Sequence, residues 1–138
     1  MAGDVGITVV ERAGRRCASS GAPWEPIVGY SRAVRAGAWI AVSGTVGINV
    51  DRTYPPTLDA QTRRALEIVR SAIEALGGRL EHVVRTRMFV VDITHAEEAM
   101  TVHGEFFRDI RPATSLVEVS RLIDEAALIE IEADAVVA

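Results

Sequence analysis

The sequence predicts an α+β domain in two layers, a mixed sheet of about six strands carrying two helices on one face. Three observations predict it. Strand-like and helix-like stretches follow one another in the order β-β-β-α-β-α-β-β. Only two of them have helical spacing, too few to cover both faces of a sheet. The 138 residues, 49% apolar and 25% charged, suit one compact domain with a real core, spanning 1–138.

The elements follow in order. Residues 5–11 alternate β-branched side chains and read as a first strand. Residues 17–26, rich in Ser, Gly, Ala and Pro, read as a loop. Residues 30–36 and 38–43 are short strands around Gly37, most simply a hairpin, and an irregular stretch leads from Ser43-Gly44 to Pro55-Pro56. Leu66, Val69, Ile73 and Leu76 then repeat at helical spacing, with Asp59 able to cap the start and Gly77-Gly78 placed to stop the end. Arg63, Arg64, Glu67, Arg70 and Glu74 fall mainly on the solvated side of that helix.

A strand over 82–91 sets Arg85, Arg87, Phe89 and Val91 on one face and Val84, Thr86, Met88 and Val90 on the other. The second helix opens on a capping box, Thr94 with Glu97, runs through Met100, Phe106 and Phe107, and ends at Arg111-Pro112. Strands over 114–120 and 128–137 close the chain. In the last one Glu130, Glu132 and Asp134 share a face opposite Ile129, Ile131, Ala133 and Ala135. A charged ladder on strands this apolar implies one face toward the helices and one toward a polar, subunit-lined space, hence an obligate oligomer.

Composition excludes several classes. A formal charge of -4 argues against a partner that is nucleic acid. All fifteen basic residues are arginine, so Schiff-base chemistry and phosphate-loop binding lose their usual amine. Cys17 is the single cysteine, which removes an intrachain disulfide and a cysteine-based zinc site; beside Arg15-Arg16 it is either a reactive thiol or, as a lone loop cysteine, an inert one. His82 and His95 have no partner at ligand spacing, and His103 and Glu105, two apart on a helix, cannot share a face. His103 is then a surface or interface histidine, and no metal or cofactor is expected. No apolar run approaches the ~18–20 residues of a spanning helix, so no membrane is expected as partner. Met1-Ala2-Gly3-Asp4 lacks the start of a signal peptide, and a cytoplasmic location is expected.

Several segments, in order, resemble the Rid family (reactive intermediate deaminases, YjgF-like). They are Ile27-Val28-Gly29-Tyr30-Ser31, Ser43-Gly44, Phe89-Val90-Val91-Asp92, Phe106-Phe107, Arg111-Pro112-Ala113-Thr114-Ser115-Leu116-Val117-Glu118-Val119-Ser120 and Ile129-Glu130-Ile131-Glu132-Ala133. The resemblance implies a chorismate-mutase-like fold, assembly as a homotrimer, and a small-molecule pocket in each cleft between subunits. Carried over by position, that pocket includes Tyr30, Ser43, Gly44, Thr114, Leu116 and Glu130.

In deaminating members the residue after Pro-Ala is an arginine that binds the carboxylate of a 2-imino acid. Water then attacks the imine carbon, helped by the carboxylate matched by Glu130, and ammonia leaves. Here that arginine is Thr114, a pocket cysteine is Leu116, and a polar position on the second helix is Met100. A lost charge-assisted contact weakens binding by roughly 1.5–3 kcal/mol. The three changes point to a less anionic ligand, bound by an atypical imine or enamine hydrolase or by a non-catalytic sensing or chaperone-like module.

Other side chains keep two readings. Arg87 is either a substitute clamp or an ion-pair partner of Glu130, Glu132 or Asp134 across the sheet. Glu130 either orients water or neutralises an arginine, Tyr30 contacts a ligand or merely packs, and Ser43-Gly44 offers N–H groups or simply turns the chain.

Overall fold

The computed structural model describes residues 5–138; the stretch Met1-Ala2-Gly3-Asp4 lies outside them. One mixed sheet of seven strands carries two α-helices on one face, so the α+β, two-layer expectation holds with one strand more than expected. The strands are β1 (Thr8–Arg12), β2 (Arg15–Ser19), β3 (Ala33–Ala36), β4 (Trp39–Val46), β5 (Val83–Val90), β6 (Ala113–Glu118) and β7 (Ile129–Val136). Helix α1 spans Leu58–Ala75 and α2 spans Ala96–Phe107. The sheet order is β1-β2-β3-β4-β7-β5-β6, antiparallel throughout except for the parallel pair β5–β6.

The extra strand is β2. Its Ser/Ala-rich sequence reads as a loop, yet Ala13 and Gly14, at φ 52° and 76°, turn the chain back so that β2 pairs with β1 and β3. Small residues are tolerated there because Ala18 is wholly buried in the core. Cys17 therefore sits in the sheet at 3% exposure instead of in a flexible loop.

Helix α1 packs on β4 and β7 and against α2. Leu66, Val69, Ile73 and Leu76 are buried as their spacing requires, and Gly77, at φ 84°, ends the helix with its N–H on the Glu74 carbonyl. The capping residue is Thr57; Asp59 lies one position inside the first turn. Arg64 departs from its solvated neighbours: it is buried, and its Nε donates to the Ile48 carbonyl at 2.9 Å.

Helix α2 begins later than the Thr94–Glu97 box implies. A 3-10 turn at Ile93–His95 comes first, capped by the Asp92 carboxylate on the Thr94 N–H, and His95 precedes the α-helix. On β5, Thr86, Met88 and Val90 are buried under the helices, but an irregularity between Val83 and Arg85 buries Val83 and leaves Val84 exposed. Among the described residues no helix is long and apolar enough to cross a membrane, and no cluster of three or more His, Cys, Asp or Glu could hold a metal.

Candidate functional site

The residues singled out in the sequence fall into two groups on different parts of one chain. The first gathers at the junction of β3, β4 and β7. A π-helical turn at Glu25–Gly29 ends with Gly29 at φ 85° and delivers Tyr30, whose N–H donates to the Glu25 carbonyl at 3.0 Å. The turn is anchored by the Glu25 side chain, which accepts from the Ser20 N–H and hydroxyl at 3.1 and 2.7 Å. Burial would raise the Glu25 carboxyl, but hydrogen bonds from Ser19, Ser20 and Ala22 outweigh it and hold it below its ordinary value.

Ser43-Gly44 lies inside β4 and is not a turn. The β4–β7 register shifts between Val42 and Thr45, so the pair forms a bulge. The bulge directs the Ser43 hydroxyl onto the Ser31 carbonyl at 2.6 Å and lays the Gly44 backbone under the side chain of Glu130 on β7. Burial pushes the Glu130 carboxyl up, Arg32 opposes the shift and Glu132 adds to it. A carboxylate so placed takes up a proton more readily than an exposed one.

Arg32 organises this group, and the sequence reading passed over it. It is 9% exposed, its guanidinium donates to the Gly44 carbonyl, and its central carbon lies 5.6 Å from the Tyr30 ring centre. Its Nε is buried without a hydrogen-bond partner among the described residues. Tyr54 was missed as well. Burial and Asp124 push its hydroxyl up to about 12, and Glu130 contributes to the same shift. One signal for Arg32 stood in the sequence: a charge directly before Ala33-Val34 needs a partner once Ala33 is buried.

The second group lies on β6, an edge strand paired, among the described residues, only with β5. Thr114 is exposed, and its hydroxyl lies 2.8 Å from that of Thr86 on β5, which lies 2.8 Å from Nε2 of His103 on α2. The Thr114 hydroxyl also donates to the Pro112 carbonyl at 3.3 Å. His103 is thus no plain surface histidine. It is half-buried, stacks on Phe107 with ring centres 4.6 Å apart, and burial lowers its pKa, favouring the neutral ring. It also lines an open cavity of about 530 Å³ with Gly104, Phe107, Arg108, Arg111 and Pro112. Leu116 packs its side chain against the core, and Met100 is exposed on α2.

Within one chain the two groups cannot meet. Strand β5 separates β6 from β7, with Thr86 opposite both Thr114 and Ala133, and Phe89 opposite both Val117 and Glu130. Thr114 shares the helix-covered face with Thr86, whereas Glu130 shares the open face with Phe89. Arg87 also lies on the open face, 3.2 Å from Glu132 and 3.4 Å from Asp134, the cross-sheet pairing foreseen as one of its two readings.

Comparison with known proteins agrees with the fold and the motifs. The family model described as Endoribonuclease L-PSP matches residues 20–137. An uncharacterized protein of Streptomyces coelicolor is 34% identical over 87% of this chain and 90% of its own, and a RutC family protein of Pyrococcus horikoshii is 34% identical over 79% and 87%. A crystal structure of a Mycobacterium tuberculosis member of the YjgF/YER057c/UK114 family superposes with a TM-score of 0.83, at 46% identity, covering 89% of this chain and 99% of that one. The structure of Escherichia coli TdcF with bound serine gives 0.75 at 26% identity, covering 79% and 88%.

Proposed function

The chain belongs to the Endoribonuclease L-PSP family, the YjgF/RutC/Rid group, and from that membership we propose that it binds a small metabolite at a site shared between copies of itself. The observation that carries this reading is the separation of the two groups on opposite faces, with β5 between them. A ligand touching both Glu130 and Thr114 needs the β6 edge of a second copy laid over the β4–β7 junction of the first. The trimer expected from the sequence offers that arrangement three times over. The unpaired edge of β6 and the exposed Val117 beside it are what such a contact would cover.

At the joined site Glu130 takes a proton from a water that attacks a C=N carbon. Glu130 returns that proton to the nitrogen, the new hydroxyl's own proton follows as the C–N bond breaks, and ammonia leaves a carbonyl behind. Tyr30, Ser43 and Gly44 frame the ligand, Leu116 supplies an apolar wall and Thr114 contributes a hydroxyl. Arg87 stays in its ladder with Glu132 and Asp134.

Ammonia release from 2-iminobutanoate and 2-iminopropanoate generated in situ tests the reaction. Release above the spontaneous rate supports hydrolysis; release equal to it removes hydrolysis of ordinary 2-imino acids. A second reading, a module that binds without turnover, draws support from the relative whose structure holds serine. A compound that raises the melting temperature and is recovered unchanged favours it. Ribonuclease action, which the family's name suggests, fits poorly with a net charge of -4, and single-stranded RNA is expected to survive prolonged incubation.

A further inference from the structure

Resting on the reading that the β6 edge forms half of a shared site, we propose that His103 and Thr86 orient the Thr114 hydroxyl as a hydrogen-bond donor, so that this half recognises a neutral carbonyl or amide oxygen of the ligand and not a carboxylate.

The Pro112 carbonyl gives the chain a direction if its contact is counted with the two inner ones. A carbonyl only accepts, so the Thr114 hydroxyl donates its single proton to Pro112. Its contact with Thr86, at 2.8 Å, must then be donated by Thr86. Thr86 has now used its own proton and can only accept from His103 Nε2, also at 2.8 Å. In that direction His103 carries its proton on Nε2 and leaves Nδ1 as an acceptor. Thr86 is fully buried between the half-buried His103 and the exposed Thr114.

The last link is the loose one. At 3.3 Å the bond to Pro112 is long for a hydroxyl donor, whose usual range centres near 2.7–2.8 Å, while the two inner bonds are at that length. A ligand oxygen arriving at the exposed side of Thr114 takes over this proton without disturbing the inner pair. What it meets is one directed O–H, backed by a His103 ring whose charged form burial disfavours. A carbonyl or amide oxygen is fully satisfied by that donor. A carboxylate would leave its charge unanswered there. Arg108 and Arg111, which line the cavity beyond His103, are the competing receptor: an acid gripped by them gives the opposite preference.

The test compares 2-oxobutanamide with 2-oxobutanoate, each titrated into the full-length protein and followed by calorimetry and by the ¹⁵N signals of the histidine ring. The amide is expected to bind about three- to tenfold more tightly. Thr114→Val should erase that preference, His103→Leu should weaken it, and His103→Gln, which keeps a donor at the end of its side chain, should retain it. The His103 ring should show the Nε2–H form. Tighter binding of the acid, equal binding, no binding of the amide, or an Nδ1–H ring overturns the proposal. Failure of the shared-site reading looks different: a monomer in sedimentation, or amide binding indifferent to Glu130→Gln. Failure of the relay alone appears in an assembled protein whose amide binding still depends on Glu130.

Discussion

Gly44 lies directly beneath the Glu130 side chain: a β-carbon at position 44 would stand 2.8 Å from both Cδ and Oε2 of the carboxyl group. The bulge in β4 thus needs glycine for clearance, while the residue on the facing strand supplies the titratable group. Gly44→Ala should swing the carboxylate aside, because the far end of a glutamate moves more easily than backbone. The expected outcome is a stability loss of about 1 kcal/mol or less, read by denaturant unfolding, with a much larger loss of ligand binding. Equal losses in the two measurements would show that Glu130 is not at the site.

Gly47 is the opposite case. A β-carbon there would come within 2.2 Å of the Gln61 backbone carbonyl on α1. Neither partner is a flexible tip, so Gly47→Ala has to push α1 off β4. The expected cost is above about 4 kcal/mol, seen as loss of soluble folded protein or of the cooperative thermal transition.

Gln61 ties the loop before β7 to α1. Its amide donates to the Pro55 and Ala126 carbonyls, both at 2.9 Å, and its Oε1 accepts from the Leu128 N–H at 2.8 Å. Gln61→Leu preserves much of the volume and orphans three backbone groups, for about 2–4 kcal/mol of destabilisation. A shift in the urea midpoint that small surface changes also produce would count against this role.

Burial raises the Glu130 carboxyl, and Arg32 is the influence that opposes the rise. Arg32→Met should move the Glu130 titration to higher pH, measured from its side-chain carboxyl ¹³C shift. A downward move or no move would remove Arg32 from the electrostatics of the site.

His103 gives a pH signature. Burial lowers its pKa below the ordinary 6.5, so in acid the unfolded chain binds a proton that the folded chain refuses. Its contribution to stability is complete above 6.5 and is lost as pH falls from there through the folded value. The melting temperature of the wild type should therefore drop more steeply between neutral and mildly acidic pH than that of His103→Gln. Parallel profiles would mean that the ring is equally solvated in both states.

Much of the fold was legible because the signals for it are local. The spacing of Leu66, Val69, Ile73 and Leu76, the glycine pair that ends the helix and the alternation along β7 depend on backbone periods of 3.6 and 2 residues. Where a long-range partner outweighed local preference, the reading failed. Small residues became β2 because two neighbours were waiting to pair with it. Ser43-Gly44 became a bulge in the pairing of β4 with β7, a strand far along the chain. The 3-10 turn at Ile93–His95 delayed α2 because the Asp92 carboxylate was in place to cap it.

The sequence by itself determined the family, the α+β class, the two helices and the acid ladder of β7 that Arg87 answers. Only the tertiary structure decided that Thr114 and Glu130 stand on opposite faces, that Arg32 underlies one of them, and that His103 reaches the other through Thr86. The physical reason is that which strands neighbour one another is settled by burying the whole apolar face of the sheet at once. That condition ties residues far apart in the chain, and no short stretch of it records the outcome.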